Sequence, residues 1–282
     1  MATTDQNRQQ WGSSYRLLAS EKWKAKSAAM GRAVTQALVD YANPHPGMEV
    51  LDLASGTGEP AISLAERVGP QGQVTALDLS ADLLAIAAVR GKDRGLQNIS
   101  FHEADAQKLP FPDQSFDLAT SRFGVMFFDD IDKALRELHR VLRPGAKACF
   151  AVWDTFEQPY FQSTIGIVVR HVGGPAISPG GQNPFRFAVP GRLSSVLGNA
   201  GFSAIEEKVV TLPWPWPGPP EELWEQTKAV SAPFRSLLDR VPTQKWPEIN
   251  AEVIAAIRTY ADNDCIRFEV TVRMVSGTKH SR

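Results

Sequence analysis

Cysteine is scarce in this chain: 282 residues contain only Cys149 and Cys265. Two thiols cannot build a disulfide framework, and they are too few for a cysteine-rich metal site. Cys149 lies in an apolar run and reads as core rather than as a reactive thiol. An excess of either charge is missing as well. The 30 lysines and arginines face 31 acids, for a formal net charge of −1. No global basic field is therefore available for nucleic acid or an anionic lipid surface. No apolar run approaches the ~20 residues of a membrane span. The first twenty residues are polar and lack the apolar core of a signal sequence. The expectation is a cytoplasmic protein with no metal, no nucleic-acid partner and no membrane span.

What is present is an ordinary globular composition, 43% hydrophobic and 22% charged. Its organising stretch is Glu49 to Gly58, where an apolar strand (Val50, Leu51, Leu53) runs into a turn with two glycines. A helical segment, Ala61 to Arg67, follows. Strand, glycine turn and helix together bring backbone N–H groups up to a ligand. The pattern then repeats in kind. Strands are predicted at Val74–Asp78, Ile99–Ala104, Phe116–Ser121 and Ala148–Trp153, with helices capped by Ser80 and spanning Ile131–Leu142. A further helix precedes the first strand, from about Ala25 to Tyr41. Alternation of this kind implies a mostly parallel sheet covered on both faces. Ligands of such sheets sit beyond the carboxyl ends of the strands, where Asp52, Asp78, Asp105 and Ser121 fall.

Beyond Asp154 the pattern loosens. A helix is predicted over Phe156–Val172, a glycine- and proline-rich loop to Phe187, and a short helix over Leu193–Ala200. A sixth strand, Ala204–Leu212, runs into Pro213-Trp214-Pro215-Trp216-Pro217, and a seventh spans Ile266–Val275. The sequence reads as one domain over 1–282, with an N-terminal helical lid (1–41) and a cofactor-binding core (42–154). The segments 155–192 and 213–263 are expected to be cap insertions, and 193–212 and 264–277 the remaining sheet elements.

The ligand is the central question. Gly56-Thr57-Gly58-Glu59-Pro60-Ala61 fits a dinucleotide fingerprint, and Asp78 lies about twenty residues on, as that fingerprint expects. Three features oppose a dinucleotide. Asp52 sits inside the strand end, Pro60 offers no N–H to an anion, and Asp105 adds a third carboxylate. Three acids repel a pyrophosphate but suit a ligand with an amino group, a sulfonium and sugar hydroxyls.

On these residues the chain resembles the class I S-adenosylmethionine-dependent methyltransferases, and among them the small-molecule enzymes related to the ubiquinone/menaquinone C-methyltransferases. The resemblance covers roughly residues 48–153. It is carried by Val50 to Gly58, Ala76 to Ser80, Glu103 to Ala106 with Leu109-Pro110-Phe111, Phe116 to Leu118 with Arg122-Phe123-Gly124, and Leu135 to Gly145. Ala146 replaces the usual second glycine. The resemblance implies a Rossmann-like, seven-stranded α/β fold and S-adenosyl-L-methionine as cofactor, with S-adenosyl-L-homocysteine as product. It implies that Asp78 accepts the ribose hydroxyls, Leu79 lies on the adenine face, and Asp105 and the Ala106 N–H read the adenine edge. Ala54, Ser55, Gly56, Thr57 and Gly58 would cradle the methionine side with Asp52, bordered by Ser121 and Phe123. Tyr15 and Trp23 would close over the cofactor.

Methyl transfer from a sulfonium is an in-line displacement that rests largely on positioning and desolvation. A base is needed only if the acceptor must lose a proton, and the candidates are His171 and Tyr15, with His139 and His102 reading as structural. The acceptor is narrowed by exclusion to a small, partly hydrophobic or aromatic molecule, with O-, C- and N-methylation all open. Phe156, Phe161, Phe185, Phe187, Trp214, Trp216 and Trp224 either line an apolar chamber for it or form the cap's own core. A monomer and a homodimer both remain open. An NAD(P)-binding oxidoreductase and a non-catalytic nucleotide-binding module on the same fold are the alternatives.

Overall fold

The computed structural model of the chain describes residues 22–280. Helix α1 (Lys24–Ala42) leads into β1 (Glu49–Leu53), α2 (Ala61–Val68), β2 (Gln73–Asp78), α3 (Ala81–Asp93) and β3 (Ile99–Glu103). Then come β4 (Phe116–Arg122), α4 (Ile131–Val141), β5 (Leu142–Trp153), α5 (Pro159–Gln162), α6 (Ile165–Val172) and α7 (Arg192–Asn199). The chain continues through β6 (Phe202–Trp216), α8 (Pro220–Val230), α9 (Arg235–Leu238), α10 (Trp246–Arg258), β7 (Ala261–Asp262) and β8 (Cys265–Lys279). The strands form one sheet in the order β3-β2-β1-β4-β5-β8-β6, with β7 paired to β8 alone. Strands β1 to β5 pair in parallel, whereas β8 runs antiparallel to both β5 and β7. No described helix is long and apolar enough to cross a membrane.

By internal packing the described residues divide into two compact units, one of 34–154, 184–210 and 272–280, the other of 22–33, 155–183 and 211–271. In the first unit β1 lies between β2 and β4, and Val50, Leu51, Asp52 and Leu53 are all fully buried. A strand covered on both faces needs an unbroken apolar run, and Asp52 is the exception in this one. Helix α4 presents Ile131, Ala134, Leu135, Leu138 and Val141 to the core at helical spacing, and Asp130 caps it by accepting the Lys133 N–H at 2.9 Å. Ser80 caps α3 in the same way, through the Leu83 N–H. The first unit's core gathers these faces with Phe150, Phe187, Leu193, Phe202 and Val275.

Of the rings that the sequence left open between a chamber lining and a core, Phe161, Trp214, Trp216 and Trp224 are buried in the second unit, together with three further rings. Tyr160, Phe161, Trp214, Trp216, Trp224, Phe234 and Phe268 are each no more than 7% exposed. Trp214 and Trp216 are both buried while Pro215 between them is less so, as alternation along a strand requires. Phe187, by contrast, belongs to the first unit's core.

Four boundaries differ from expectation, each for a local reason. The sheet has an eighth strand among the described residues, β7, whose two residues are too few to show a period; Asn263, at φ 53°, turns it back onto Cys265 and Ile266. Strand β5 begins at Leu142 rather than Ala148, with a register shift against β4 where Gly145 takes φ 81°. The helix predicted over 156–172 breaks into α5 and α6 where the Thr164 hydroxyl donates back to the Tyr160 carbonyl at 2.7 Å. Strand β6 continues through Pro213 and Pro215, which an edge strand tolerates because a missing N–H there breaks no ladder.

Candidate functional site

Parallel pairing aligns the carboxyl ends of β1, β2 and β4: Asp52 stands opposite Ala76 on one side and Thr120 on the other. The glycine turn folds back across these ends. The Ser55 N–H donates to the Leu77 carbonyl at 3.0 Å, and the Ser55 hydroxyl donates to the Asp52 carbonyl at 2.9 Å. Asp78, 8% exposed at the end of β2, then fastens the turn. Its Oδ2 accepts the Gly56 N–H at 2.8 Å and its Oδ1 the Ser80 N–H at 2.9 Å. A carboxylate offers two oxygens with two acceptor sites each, so a group holding two backbone N–H donors can also take hydroxyls. Gly56 sits at φ 55°, and a side chain there would point into open space. Gly58, at φ 110°, takes a backbone conformation that favours glycine, and a Cβ there would also press on the Ile62 Cδ1 at 2.7 Å and the Ala87 Cβ at 3.2 Å.

Beneath the turn lies a buried polar cluster. Thr120 donates to Asp52 Oδ1 at 2.6 Å, while Oδ2, also buried, has no hydrogen-bond partner among the described residues. Burial pushes the Asp52 carboxyl up to about 7, against the Thr120 hydrogen bond and the nearby Arg122 guanidinium, which favour the charged form. Glu59, in the turn itself, adds to the upward push. Arg122 donates to the Thr35 hydroxyl at 2.7 Å, and burial lowers its pKa. One acid of the site is thus poised to change charge near neutrality.

At the end of β4 the Ser121 hydroxyl donates to the Leu53 carbonyl at 2.8 Å, so it ties β4 to β1. Phe123 follows at φ 58°, its N–H donating to the Ala151 carbonyl at 2.8 Å. Its ring stacks on Trp153 of β5, with centroids 4.1 Å apart and planes 12° from parallel. Ala54, after β1, is also left-handed, at φ 55°. Gly124 explains how these neighbours fit together: a Cβ there would lie 2.5 Å from the Ala54 Cβ and 2.6 Å from Ser121 Oγ. Beyond β3, the Asp105 carboxylate takes the N–H and amide of its neighbour Gln107, and Ala106 is buried. Leu79, between Asp78 and the cap Ser80, is half-buried.

Of the other expected residues, Trp23 and His171 belong to the second unit. Trp23 is 5% exposed and its indole N–H donates to Glu222 at 3.1 Å, within the second unit. Tyr15 lies outside the described residues. His171, on α6, has its Nε2 2.6 Å from Glu252, which Arg170 also engages. His102 packs its edge on Phe111, and His139 on Phe202, where burial lowers its pKa. Among the described residues no cluster of His, Cys, Asp and Glu could hold a metal ion. Thr120 and Trp153 were not singled out from sequence, whereas Gly124 entered only as part of the Arg122-Phe123-Gly124 motif and without a role.

Comparison with known proteins agrees with this geometry. The profile of the ubiE/COQ5 methyltransferase family matches residues 27–173. A ubiquinone/menaquinone biosynthesis C-methyltransferase from Xanthomonas oryzae is 45% identical over 123 residues, 43% of this chain and 49% of the relative. A 2-phytyl-1,4-naphtoquinone methyltransferase from Nostoc is 40% identical over 144 residues, 48% of this chain and 63% of the relative. The chain thus spans only about half to two thirds of the length of these curated relatives. Among solved structures, the [4+2]-cyclase SpnF superposes with a TM-score of 0.60 at 22% identity, covering 100% of this chain and 98% of that one. A phosphoethanolamine N-methyltransferase from Haemonchus contortus, in complex with S-adenosylhomocysteine, gives 0.59 at 17%, covering 100% and 61%. At such identities the structural likeness is one of fold. The match over residues 27–173 takes in every strand end that builds the site, and the chain belongs to the ubiE/COQ5 methyltransferase family.

Proposed function

We propose that the chain transfers a methyl group from S-adenosyl-L-methionine to a small quinone-type acceptor, releasing S-adenosyl-L-homocysteine. The observation that supports this most is the Asp78 carboxylate, which holds Gly56 and Ser80 together at the carboxyl end of β2. There it can accept a vicinal diol, and the three acids Asp52, Asp78 and Asp105 disfavour a pyrophosphate. The named activities of the curated relatives point the same way for the acceptor, toward a quinone ring and its carbon.

The residues fit the cofactor. Gly56 leaves open space where any side chain would project, and the buried Oδ2 of Asp52 lacks a donor that an amino group would supply. In this reading Asp52, Ala54, Ser55, Gly56, Thr57 and Gly58 hold the methionine part, with Ser121 and Phe123 beside it. Asp78 and Leu79 hold the ribose and one adenine face, and Asp105 and Ala106 the adenine edge. When bound, the cofactor supplies a methyl group on a cationic sulfur. The protein's part is to fix that group, keep water from it and present the acceptor in line. Asp52, buried among Thr120, Arg122 and Glu59, offers a carboxylate whose ionisation a nearby cation favours.

Titration calorimetry with S-adenosylmethionine, S-adenosylhomocysteine and NAD tests the reading. Both sulfur ligands should bind and NAD should not, and the protein should methylate 1,4-dihydroxynaphthalene or a prenylated analogue. Tight NAD binding with no response to the other two would sink it.

A further inference from the structure

A cavity of about 290 Å³ opens within the second unit, between the entry to α8, the C-terminal end of α10 and the β7–β8 hairpin. Pro219, Pro220 and Ile266 give it apolar walls, and Ile266 is 1% exposed. These walls are stiff. Two prolines in succession fix their own φ, and Gly218 before them packs against the Lys26–Glu222 ion pair. A Cβ on Gly218 would lie 2.6 Å from Glu222 Oε2 and 2.7 Å from Lys26 Nζ. On the hairpin, Asn263 takes φ 53° and its side-chain amide donates to Asp262 Oδ1 at 3.1 Å, while Arg267 donates to Asp262 Oδ2 at 2.7 Å. Two opposite charges, Arg258 and Asp264, line the same cavity. They do not pair with each other. Arg258 gives one nitrogen, Nη2, to Glu221 at 3.0 Å, which leaves most of its five N–H donors unspent. The Asp264 carboxylate has no hydrogen bond or ion pair with any described residue.

We infer that this cavity binds a free α-amino acid with an apolar side chain, its carboxylate on Arg258, its ammonium on Asp264 and its side chain against Pro219, Pro220 and Ile266. Charge complementarity carries the assignment. A simple amine would answer Asp264 but bring a second cation up to Arg258, and a simple carboxylate would do the reverse. A zwitterion answers both. In an α-amino acid the two charged groups are attached to one carbon, so directing each at its partner leaves the side chain one course, along the apolar wall. Size agrees, since ligand cavities begin near about 300 Å³ and this one sits at that small end. Walls that need no ordering on binding keep the entropic cost low. The site uses none of the residues assigned to the methyl donor, so it stands independently of the methyltransferase reading.

The test titrates isotope-labelled full-length protein with L-leucine, 3-methylbutan-1-amine and 4-methylpentanoate, followed by amide resonances. The amine lacks the carboxylate of leucine, and the pentanoate lacks its ammonium. Leucine should bind with a Kd of about 1 mM or tighter, and each analogue should be weaker by about 5-fold or more. The amides of the hairpin, 261–266, should move with leucine. Two variants cross-check the partners. Asp264→Asn should weaken leucine by about 5-fold and leave the pentanoate within about 2-fold, because that probe has no ammonium to lose. Arg258→Gln should weaken leucine by a similar factor and leave the amine within about 2-fold. Both substitutions alter exposed side chains, and unchanged resonances away from the hairpin show that the fold is kept. No movement at about 10 mM leucine overturns the inference. So does an amine or a pentanoate that binds wild type as tightly as leucine, movement confined to residues away from the hairpin, or an unchanged leucine affinity in either variant.

Discussion

The backbone N–H of Gly56 donates to Asp78 Oδ2 at 2.8 Å, joining residues 22 positions apart in the chain. One carboxylate thereby shapes the glycine turn and, in the proposed site, takes the ribose. Asp78→Ala should weaken S-adenosylhomocysteine by about 10-fold or more, since hydrogen bonds to a charged group are worth about 1.5–3 kcal/mol. It should also loosen the turn, because Gly56 and Ser80 both lose an acceptor. Calorimetry reads the first effect and amide exchange at Gly56 the second. Unchanged affinity would remove Asp78 from the ribose.

His171 is within 2.6 Å of Glu252, and hydrogen bonding to His171, then to Arg170, lowers the Glu252 pKa. A histidine held this way reads as a tie between α6 and α10. His171→Gln keeps a hydrogen-bonding side chain there, so kcat should stay within about 3-fold of wild type, as should the shape of its pH profile. Loss of the acidic limb of that profile, on which a general base is protonated and idle, would instead make His171 the base.

Much of this was legible in the sequence. Val50 to Gly58, Asp78 and the helix capped by Ser80 each announce themselves by residues whose local chemistry allows one conformation. Local signals failed where the decision is made by distant residues. Nothing near Asp52 in sequence says that Thr120 will hold one of its oxygens and leave the other orphaned. Trp153 looked like the last apolar residue of a strand, and only the pairing of β4 with β5 puts Phe123 on its face. The aromatic residues after Asp154 show the converse. Composition announced them, but whether rings line a chamber or fill a core depends on packing, which buried most of them.

The Asp52 carboxyl, pushed up to about 7 by burial, makes stability depend on pH. In the unfolded chain it releases its proton near ~3.9, whereas the folded protein keeps that proton until about neutrality. Between those values the native state binds more protons than the unfolded one, so its contribution to stability falls as pH rises, by about 1.4 kcal/mol per pH unit. Asp52→Asn mimics the neutral form. Relative to wild type it should gain stability from pH 5 to pH 8 in urea unfolding, while S-adenosylmethionine binding weakens most at pH 8, where wild type is charged. Parallel stability curves across that range would mean that Thr120 and Arg122 keep Asp52 ionised throughout.

Gly124 separates steric from conformational demands. Its φ is −99°, which any residue adopts, so Gly124→Ala adds no backbone strain. The new Cβ would instead meet the Ala54 Cβ at 2.5 Å and Ser121 Oγ at 2.6 Å. Neither can retreat easily. Ala54 is fixed in a left-handed turn residue at φ 55°, and Ser121 is fully buried with its hydroxyl on the Leu53 carbonyl. Overpacking of this kind costs about 1–3 kcal/mol, and here it displaces the ends of β1 and β4 together. Gly124→Ala should therefore lower stability by that amount in urea unfolding and weaken S-adenosylhomocysteine as well. Ala54→Gly removes one of the two clashing atoms and restores a residue at ease with positive φ. The double variant should recover part of both losses, with a coupling of about 0.5–3 kcal/mol between the sites. Strict additivity would show that the two strand ends move independently and that Gly124 acts on something other than Ala54.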